Sequence, residues 1–141
     1  MKKITVVYIG VLLTVLFVLI FKNISVTAGS AAGPLQITSD EGPVSIAVTP
    51  KDLSAGLSGW NFEITLVTHS GSIDADLGAV SELVDDNGKL YKPVSWEGSP
   101  PGGHHRNGML KFNSISPKPK SIELKITDIG GVSERNFKWS L

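Results

Sequence analysis

Three histidines are candidate metal ligands, because they are confined to two short stretches of the chain. His69 ends an apolar stretch, whereas His104 and His105 are adjacent within a stretch rich in proline and glycine. Both stretches are predicted loops, and three imidazoles converge if these loops meet at one end of the domain. Imidazole nitrogens suit Zn²⁺ or Cu²⁺, and Asp74 and Asp76 add candidate oxygen ligands. The pattern therefore predicts a thiolate-free site for a divalent transition metal.

The Pro-Pro-Gly-Gly run at 100–103 gives the second histidine stretch a defined shape. Two prolines stiffen the backbone, and two glycines then permit dihedral angles that are closed to other residues. Adjacent histidines point to opposite sides of an extended strand, so joint ligation of one metal ion requires this looped backbone. The alternative is a structural role, in which the histidines hydrogen-bond to backbone carbonyls and brace a long turn.

Residues that flank this loop are candidates for recognition of a protein partner. Trp96 offers a large contact area and one polar N–H, and Glu97 adds a charge beside it. The guanidinium of Arg106 could bind a carboxylate or a phosphate through two parallel hydrogen bonds, and so could that of Arg135. Two alternatives remain open: Trp96 packs in the core, and both arginines form surface ion pairs with nearby glutamates.

Calcium binding and hydrolysis find little support in the sequence. The acidic runs at 74–76 and 85–88 do not reproduce the spacing of an EF-hand loop. His69 and Ser70 are neighbours, but no nucleophile-elbow pattern is present, and we expect no enzyme activity. The chain contains no cysteine, which excludes disulfides, thiolate metal sites and a thiol nucleophile.

The elements that must position these residues are β-strands. Apolar residues recur at every second position along seven stretches, and a period of two is typical of half-buried strands. These stretches are 43–49, 60–68, 79–85, 89–95, 108–113, 120–127 and 134–140. The Asn87-Gly88 pair predicts a type I′ turn in a central hairpin. Seven short strands predict an all-β fold, an immunoglobulin-like β-sandwich, with a small barrel as the alternative.

The N-terminal residues have the composition of a membrane anchor. Residues 4–21 form a run of 18 residues without a charge, which spans about 27 Å as a helix. Two lysines precede this run and one follows closely, so the positive-inside rule predicts a cytoplasmic N-terminus and an exported domain. A cleaved signal peptide is the alternative, because residues 26–28 resemble a processing site. We expect a transmembrane anchor or signal peptide over 1–28, a linker over 29–42 and an extracytoplasmic domain over 43–141.

The charge of the exported part argues against nucleic acid as a partner. Three of the 13 basic residues, Lys2, Lys3 and Lys22, lie in or beside the membrane segment, so the rest of the chain carries 10 basic and 13 acidic residues. Its net charge is −3, and its lysines and arginines do not cluster. Nucleic-acid-binding proteins obtain much of their affinity by neutralising phosphates. We therefore expect no nucleic-acid binding.

One motif resembles a known type of domain. Trp-Glu-Gly at 96–98 is followed by Pro-Pro-Gly-Gly-His-His-Arg at 100–106, and then by Gly108, Leu110 and Phe112. This pattern resembles an uncharacterised family of prokaryotic exported or membrane-anchored β domains, over most of the region 44–140. The resemblance implies a type of domain and does not imply an activity.

Together these features predict a non-enzymatic binding module, displayed on the outer face of the cell membrane by a single-pass anchor. In the leading hypothesis its ligand is Zn²⁺ or Cu²⁺, held by the three histidines. In the rival hypothesis it is a protein-interaction or assembly module of a cell-envelope complex and holds no metal. Trp96, Tyr91 and the stiff loop would then contact the partner.

Overall fold

A computed structural model of the chain describes residues 35–141, which make up most of the unit Ala32–Leu141. The predicted anchor over 1–28 and the first part of the predicted linker lie outside the described residues. Within residues 35–141, no helix combines the length and the apolar character needed to cross a membrane.

Strands make up most of the regular structure of the described residues. In chain order the elements are β1 (Ile37–Ser39), β2 (Val44–Pro50), β3 (Gly59–Thr68), α1 (Leu77–Val80), β4 (Ser81–Asp85), β5 (Leu90–Tyr91), β6 (Ser95–Gly98), β7 (His105–Asn113), β8 (Ser121–Ile129) and β9 (Val132–Ser140). One sheet has five strands in the order β1-β2-β3-β7-β6, and the other has four in the order β5-β4-β8-β9. All neighbouring strands are antiparallel. The predicted all-β fold with two sheets is confirmed.

Alternation of apolar and polar residues explains why the two sheets pack face to face. Along β2, Val44, Ile46 and Val48 are buried, whereas the residues between them are partly exposed. In the core, the ring of Phe62 on β3 lies 5.6 Å from the ring of Trp139 on β9, measured between centroids. The apolar faces of the two sheets therefore share one interior. Truncating a buried aromatic residue of this kind to alanine costs about 3–5 kcal/mol.

The predicted hairpin at Asn87-Gly88 is present, but its turn differs from the prediction. β4 pairs with β5, yet in this turn only Gly88 has a positive φ, 80°, whereas a type I′ turn requires one at both central positions. The carboxylate of Asp85 accounts for the difference, because it accepts hydrogen bonds from the N–H groups of Asn87 and Lys89 and closes a longer loop. Two consecutive positive φ angles, 62° and 76°, occur instead at Gly130-Gly131, between β8 and β9.

The predicted strand 89–95 is wrong as a single element, because it is divided between the two sheets. Residues 90–91 form β5, which pairs with β4, and β6 begins at residue 95 and pairs with β7. Pro93 lies between them and has no N–H to donate to a ladder. A further strand, β1, lies in the stretch predicted as a linker, since its three residues are too few to show a period of two. The described residues therefore form nine strands rather than seven.

Four loops, 40–43, 69–76, 99–104 and 130–131, meet at one end of the sandwich, which we call the loop end. Val44 pairs with Thr68 across β2 and β3, and Val67 pairs with His105 across β3 and β7. These pairs bring the first three loops together. A Cβ placed on Gly130 would lie 2.7 Å from the Val44 side chain, so the β8–β9 turn belongs to the same end.

Candidate binding site at the loop end

The two histidine-bearing loops, 69–76 and 99–104, lie against each other. The N–H of Thr68 donates to the carbonyl of His104 at 2.9 Å, and the N–H of Ile73 donates to the carbonyl of Gly103 at 3.0 Å. The N–H of Gly102 donates in turn to the Ile73 carbonyl at 3.0 Å. Gly102 and Gly103 have φ angles of 115° and 78°, so the looped backbone expected from these glycines is present. Backbone hydrogen bonds join the two loops.

The three histidine side chains do not assemble a metal site in this arrangement. His69, His104 and His105 are all exposed. In the part of the chain that the structure describes, no group of three or more His, Cys, Asp or Glu side chains is placed to hold a metal ion. The loops meet through the backbone of His104 rather than through its ring, and His105 faces solvent because its neighbour on β7 faces the core. The predicted convergence of the imidazoles is therefore not found.

The predicted oxygen ligands, Asp74 and Asp76, have other partners. Asp74 accepts a hydrogen bond from the hydroxyl of Ser72 at 2.7 Å. Asp76 is the N-cap of α1 and accepts a hydrogen bond from the N–H of Gly78 at 3.0 Å. Burial lowers the pKa of Arg106, and the charges of Asp76 and Asp74 act in the opposite direction. These carboxylates thus serve as nearby counter-charges for a buried cation.

Arg106 is buried at the centre of the loop end, with 1% of its surface exposed. Its Nη1 donates to the carbonyls of Ile73 at 3.0 Å and Ala75 at 2.6 Å, and its Nη2 donates to the carbonyl of Ser99 at 3.2 Å. One guanidinium therefore ties the two histidine-bearing loops together. The prediction of Arg106 as part of an exposed binding surface or a surface ion pair is wrong. Alternation along β7 places this position on the same face as the buried Leu110.

Trp96 packs against Arg106 and is half-buried. Its Nε1 donates to the carbonyl of Ser99 at 3.0 Å, and the Cζ of Arg106 lies 5.9 Å from the centroid of the indole ring, within the range of a cation–π contact. The ring covers Gly98 and Gly108, which face each other across β6 and β7. A Cβ on either glycine would lie within 2.8 Å of the Trp96 ring. The spacing of the tryptophan, the two glycines and the arginine therefore reflects packing, which supports the alternative of an inward-facing Trp96.

The remaining predicted contact residues do not form one surface with Trp96. Glu97 is exposed and pairs with Lys111 at 2.7 Å between Nζ and Oε2. Tyr91 lies on β5, in the other sheet, and donates its hydroxyl to Asp85 at 2.9 Å. The predicted binding surface of Trp96, Glu97 and Arg106 thus contains one buried, one half-buried and one exposed side chain, and only Glu97 is freely accessible.

A second buried arginine holds loop 40–43 and the end of β8 in the same way. Arg135 on β9 is 1% exposed, and its Nη1 donates to the carbonyl of Ile129 at 2.8 Å. Its Nη2 donates to the carbonyls of Glu41 at 2.5 Å and Val44 at 3.2 Å. Burial lowers the pKa of Arg135, and the charge of Glu41 acts in the opposite direction. The predicted surface pair is wrong here too. The signal was present in the sequence, since the aromatic residues two and four positions later define a buried face that includes Arg135.

The segments held by the two arginines form opposite walls of a small cleft of about 250 Å³. Residues 72–75 line one side and residues 128–130 line the other, with Val44 between them. Asp74 and Asp128 supply the carboxylates of its lining. Because each wall is tied to one of the buried guanidinium groups, the shape of the cleft depends on both.

The surface of the loop end is acidic. Its four loops contain no lysine, and the two arginines nearby are buried. Five exposed carboxylates lie in or beside these loops: Asp40, Glu41, Asp74, Asp76 and Asp128. The loop end therefore exposes negative charge and three imidazoles to solvent. Hydrogen bonds from the two buried arginines hold its backbone in place.

No protein-family model matches this chain, and no curated protein matches it. Among solved structures, the chain is similar to a DUF4426 family protein from Pseudomonas aeruginosa PAO1, whose crystal structure was determined at 2.09 Å resolution. The two chains are 10% identical, and the match covers 75% of this chain and 92% of that chain with a TM-score of 0.46. This likeness carries no argument about function, and the resemblance of the 96–112 motif to exported β domains stays a prediction.

Proposed function

We propose that this protein is a non-enzymatic protein-interaction module, held at the outer face of the cell membrane by its N-terminal segment. Its sandwich is of the immunoglobulin-like type, and its partner is a cell-envelope protein that binds at the loop end. The observation that carries this proposal is the buried guanidinium of Arg106, which bonds to three carbonyls from two loops.

A buried arginine without a hydrogen-bonded carboxylate is a costly way to fill this part of the core. Removing a guanidinium from water carries a large desolvation penalty, which its hydrogen bonds to the three carbonyls must offset. The Nε–H of Arg106 adds to the cost, because it has no hydrogen-bond partner among the described residues. We infer that the arginine is present for its effect on the loops.

That effect is to hold both loops in one conformation before a partner binds. Ordering loops and side chains on binding reduces affinity, so a surface that is already ordered binds more tightly. Two further features of loop 99–104 act in the same direction: Pro100 and Pro101 restrict its backbone, and backbone hydrogen bonds join it to Ile73.

The charge of the loop end favours a partner with a basic contact surface. Two of the five exposed carboxylates, Asp74 and Asp128, line the cleft, and the four loops contain no lysine. Complementary charge accelerates association and disfavours acidic competitors. Binding of Zn²⁺ or Cu²⁺ by the three histidines remains a prediction from the sequence and is not part of this proposal.

Site-specific photo-cross-linking tests the proposal. A photo-reactive amino acid is placed at His104 in the full chain, which is expressed in the cells that naturally make it, and the control position is Thr65, which is exposed on the outer face of β3. We expect one defined adduct with a membrane or envelope protein from position 104 and none from position 65. The yield should fall in the Arg106→Met variant. Equal adducts from both positions, or none from position 104, would show that the loop end is not the binding surface.

A further inference from the structure

β9 is the one long strand at a sheet edge within residues 35–141. It has nine residues, whereas the other edge strands, β1, β5 and β6, have three, two and four. It pairs with β8 in the four-stranded sheet. Among the described residues, no backbone hydrogen bond outside the sheets involves residues 132–140. Alternate N–H and C=O groups along β9 therefore point away from β8 without a backbone partner, which is a template for another strand.

β9 carries charged side chains, which are one protection of an edge strand, but two other protections, a proline and a bulge, are missing. It contains no proline, and its pairing with β8 continues without interruption from Glu134 to Ser140. The segment that precedes β2 contacts β9 through side chains that face inward, because Arg135 donates to the Glu41 carbonyl and the Trp139 indole donates to the Leu35 carbonyl. These contacts involve the inner face of β9 and do not use the backbone groups of its outer edge.

The outward-facing side chains of β9 carry a self-complementary charge pattern. Glu134, Asn136 and Lys138 are exposed and alternate with buried residues. When two copies of β9 are placed antiparallel and centred on Asn136, Glu134 of each copy lies opposite Lys138 of the other, and the two Asn136 side chains face each other. Opposite charges that face each other across antiparallel strands are stabilising, and like charges are destabilising. We propose that the protein forms a symmetric dimer through this antiparallel β9–β9 pairing.

Other registers are less favourable, so the charge pattern selects the one centred on Asn136. A shift of one residue would place inward-facing side chains opposite outward-facing ones. Centring the pair on Glu134 or on Lys138 would bring like charges together. Centring it on Arg135 or Phe137 would leave both charges opposite uncharged residues. Only the register centred on Asn136 pairs both charges of each copy.

The charges on the neighbouring strand extend the same pattern. Within one copy, Nζ of Lys125 on β8 lies 3.3 Å from Oε1 of Glu134, and Glu123 is the pairing partner of Lys138. In the dimer, Glu134 would lie between Lys125 of its own copy and Lys138 of the second copy. Lys138 would lie between Glu123 of its own copy and Glu134 of the second copy. The two four-stranded sheets would join into one sheet, and both loop ends would stay open and point in opposite directions. The dimer is independent of the proposed function.

Disulfide trapping tests the pairing, because the chain has no cysteine of its own. In the Asn136→Cys variant the two introduced cysteines would face each other with Cα atoms about 4.5–5.5 Å apart, a separation that a disulfide spans. Mild oxidation of the full-length variant in detergent should give a disulfide-linked dimer. The control is Thr65→Cys, at an exposed position on the outer face of the five-stranded sheet, which should stay monomeric. Equal dimer yields from the two variants would overturn the proposal.

Charge exchange then tests the register. In the Asn136→Cys background, Glu134→Lys alone would place two lysines opposite each other, and Lys138→Glu alone would place two glutamates opposite each other. Each variant should cross-link with itself several-fold less than the parent. Mixing the two variants restores both opposite-charge pairs, so disulfide dimers between them should return to the parent level. Circular dichroism confirms that each variant is folded. A mixture that cross-links no better than either folded variant alone would overturn the register and the proposal.

Discussion

Replacing Arg106 with methionine removes the group that ties the two histidine-bearing loops together and keeps a side chain of similar volume. The guanidinium makes three hydrogen bonds to backbone carbonyls and contacts the ring of Trp96. Methionine can maintain the contact with the ring but cannot donate a hydrogen bond. The Arg106→Met variant therefore isolates the contribution of the hydrogen bonds to the order of the loops.

The expected loss is modest, because two of the three carbonyls have a second donor. The Ile73 carbonyl also accepts from the N–H of Gly102, and the Ser99 carbonyl also accepts from the indole of Trp96. Among the described residues, only the Ala75 carbonyl loses its partner. A buried carbonyl without a partner costs about 1–3 kcal/mol, and relief of the desolvation of the guanidinium offsets part of this cost. We expect the free energy of unfolding to fall by about 1–2 kcal/mol.

Hydrogen exchange of the full chain separates this local effect from a general loss of stability. In Arg106→Met, the N–H groups of Ile73, Gly102 and Gly103 should exchange faster, whereas the β2–β3 ladder should stay protected. The matched control is Arg135→Met, which removes the second buried guanidinium and should leave these three N–H groups protected. Unchanged exchange at Ile73 and Gly102 in Arg106→Met would refute the role of the arginine in ordering the loops.

Three further predictions concern packing, metal binding and acid stability. Gly108→Ala should destabilise the domain by about 1–3 kcal/mol in thermal unfolding through overpacking, because the new Cβ would lie 2.5 Å from the Cα of Gly98; an unchanged stability would contradict this close approach of β6 and β7. Calorimetric titration with Zn²⁺ should give equally weak heats for the parent and for a variant in which all three histidines are alanine, and stoichiometric binding lost in that variant would restore the metal hypothesis. Hydrogen bonds from the N–H of Lys89 and from other groups lower the pKa of Asp85 in the folded state, so its contribution to stability is present above the unfolded-state pKa and is lost as the pH falls through the lower folded-state value. Asp85→Asn should therefore be less stable than the parent at pH 7 and should lose less stability on acidification below about pH 4, and parallel pH dependences of unfolding would contradict this assignment.

The strands could be predicted from the sequence wherever one apolar face is long enough to show its period. Val44, Ile46 and Val48 are an example, and the stretch that ends with Trp139 is another. β1 was not predicted because three residues are too few to show a period of two. The turn at Gly88 was assigned incorrectly because the glycine pattern does not show that the Asp85 carboxylate competes for the N–H groups of the loop.

The candidate site was harder to predict, because its determinants are buried charges. Sequence reasoning places arginine at the surface. Arg106 lies four residues before the buried Leu110, and Arg135 lies two residues before the buried Phe137. Only the extension of the apolar alternation toward the start of each strand shows that both arginines face the core. The contact between the two histidine-bearing loops was a condition of the metal hypothesis, and in the structure it results from the pairing of β3 with β7. The direction of the imidazole rings could not be predicted, because it depends on which backbone groups of loop 99–104 bond to loop 69–76.

The central claim is that the loop end is a binding site whose loops are ordered by Arg106. The most direct test is to measure the affinity of the partner, captured by cross-linking at His104, for three full-length chains. These are the parent, Arg106→Met and Thr65→Ala, each shown to be folded. We predict that Arg106→Met binds at least roughly tenfold more weakly than the parent, which corresponds to about 1.4 kcal/mol, and that Thr65→Ala binds as the parent does. Equal affinities of all three chains would contradict the claim that the buried arginine orders the loop end before its partner binds.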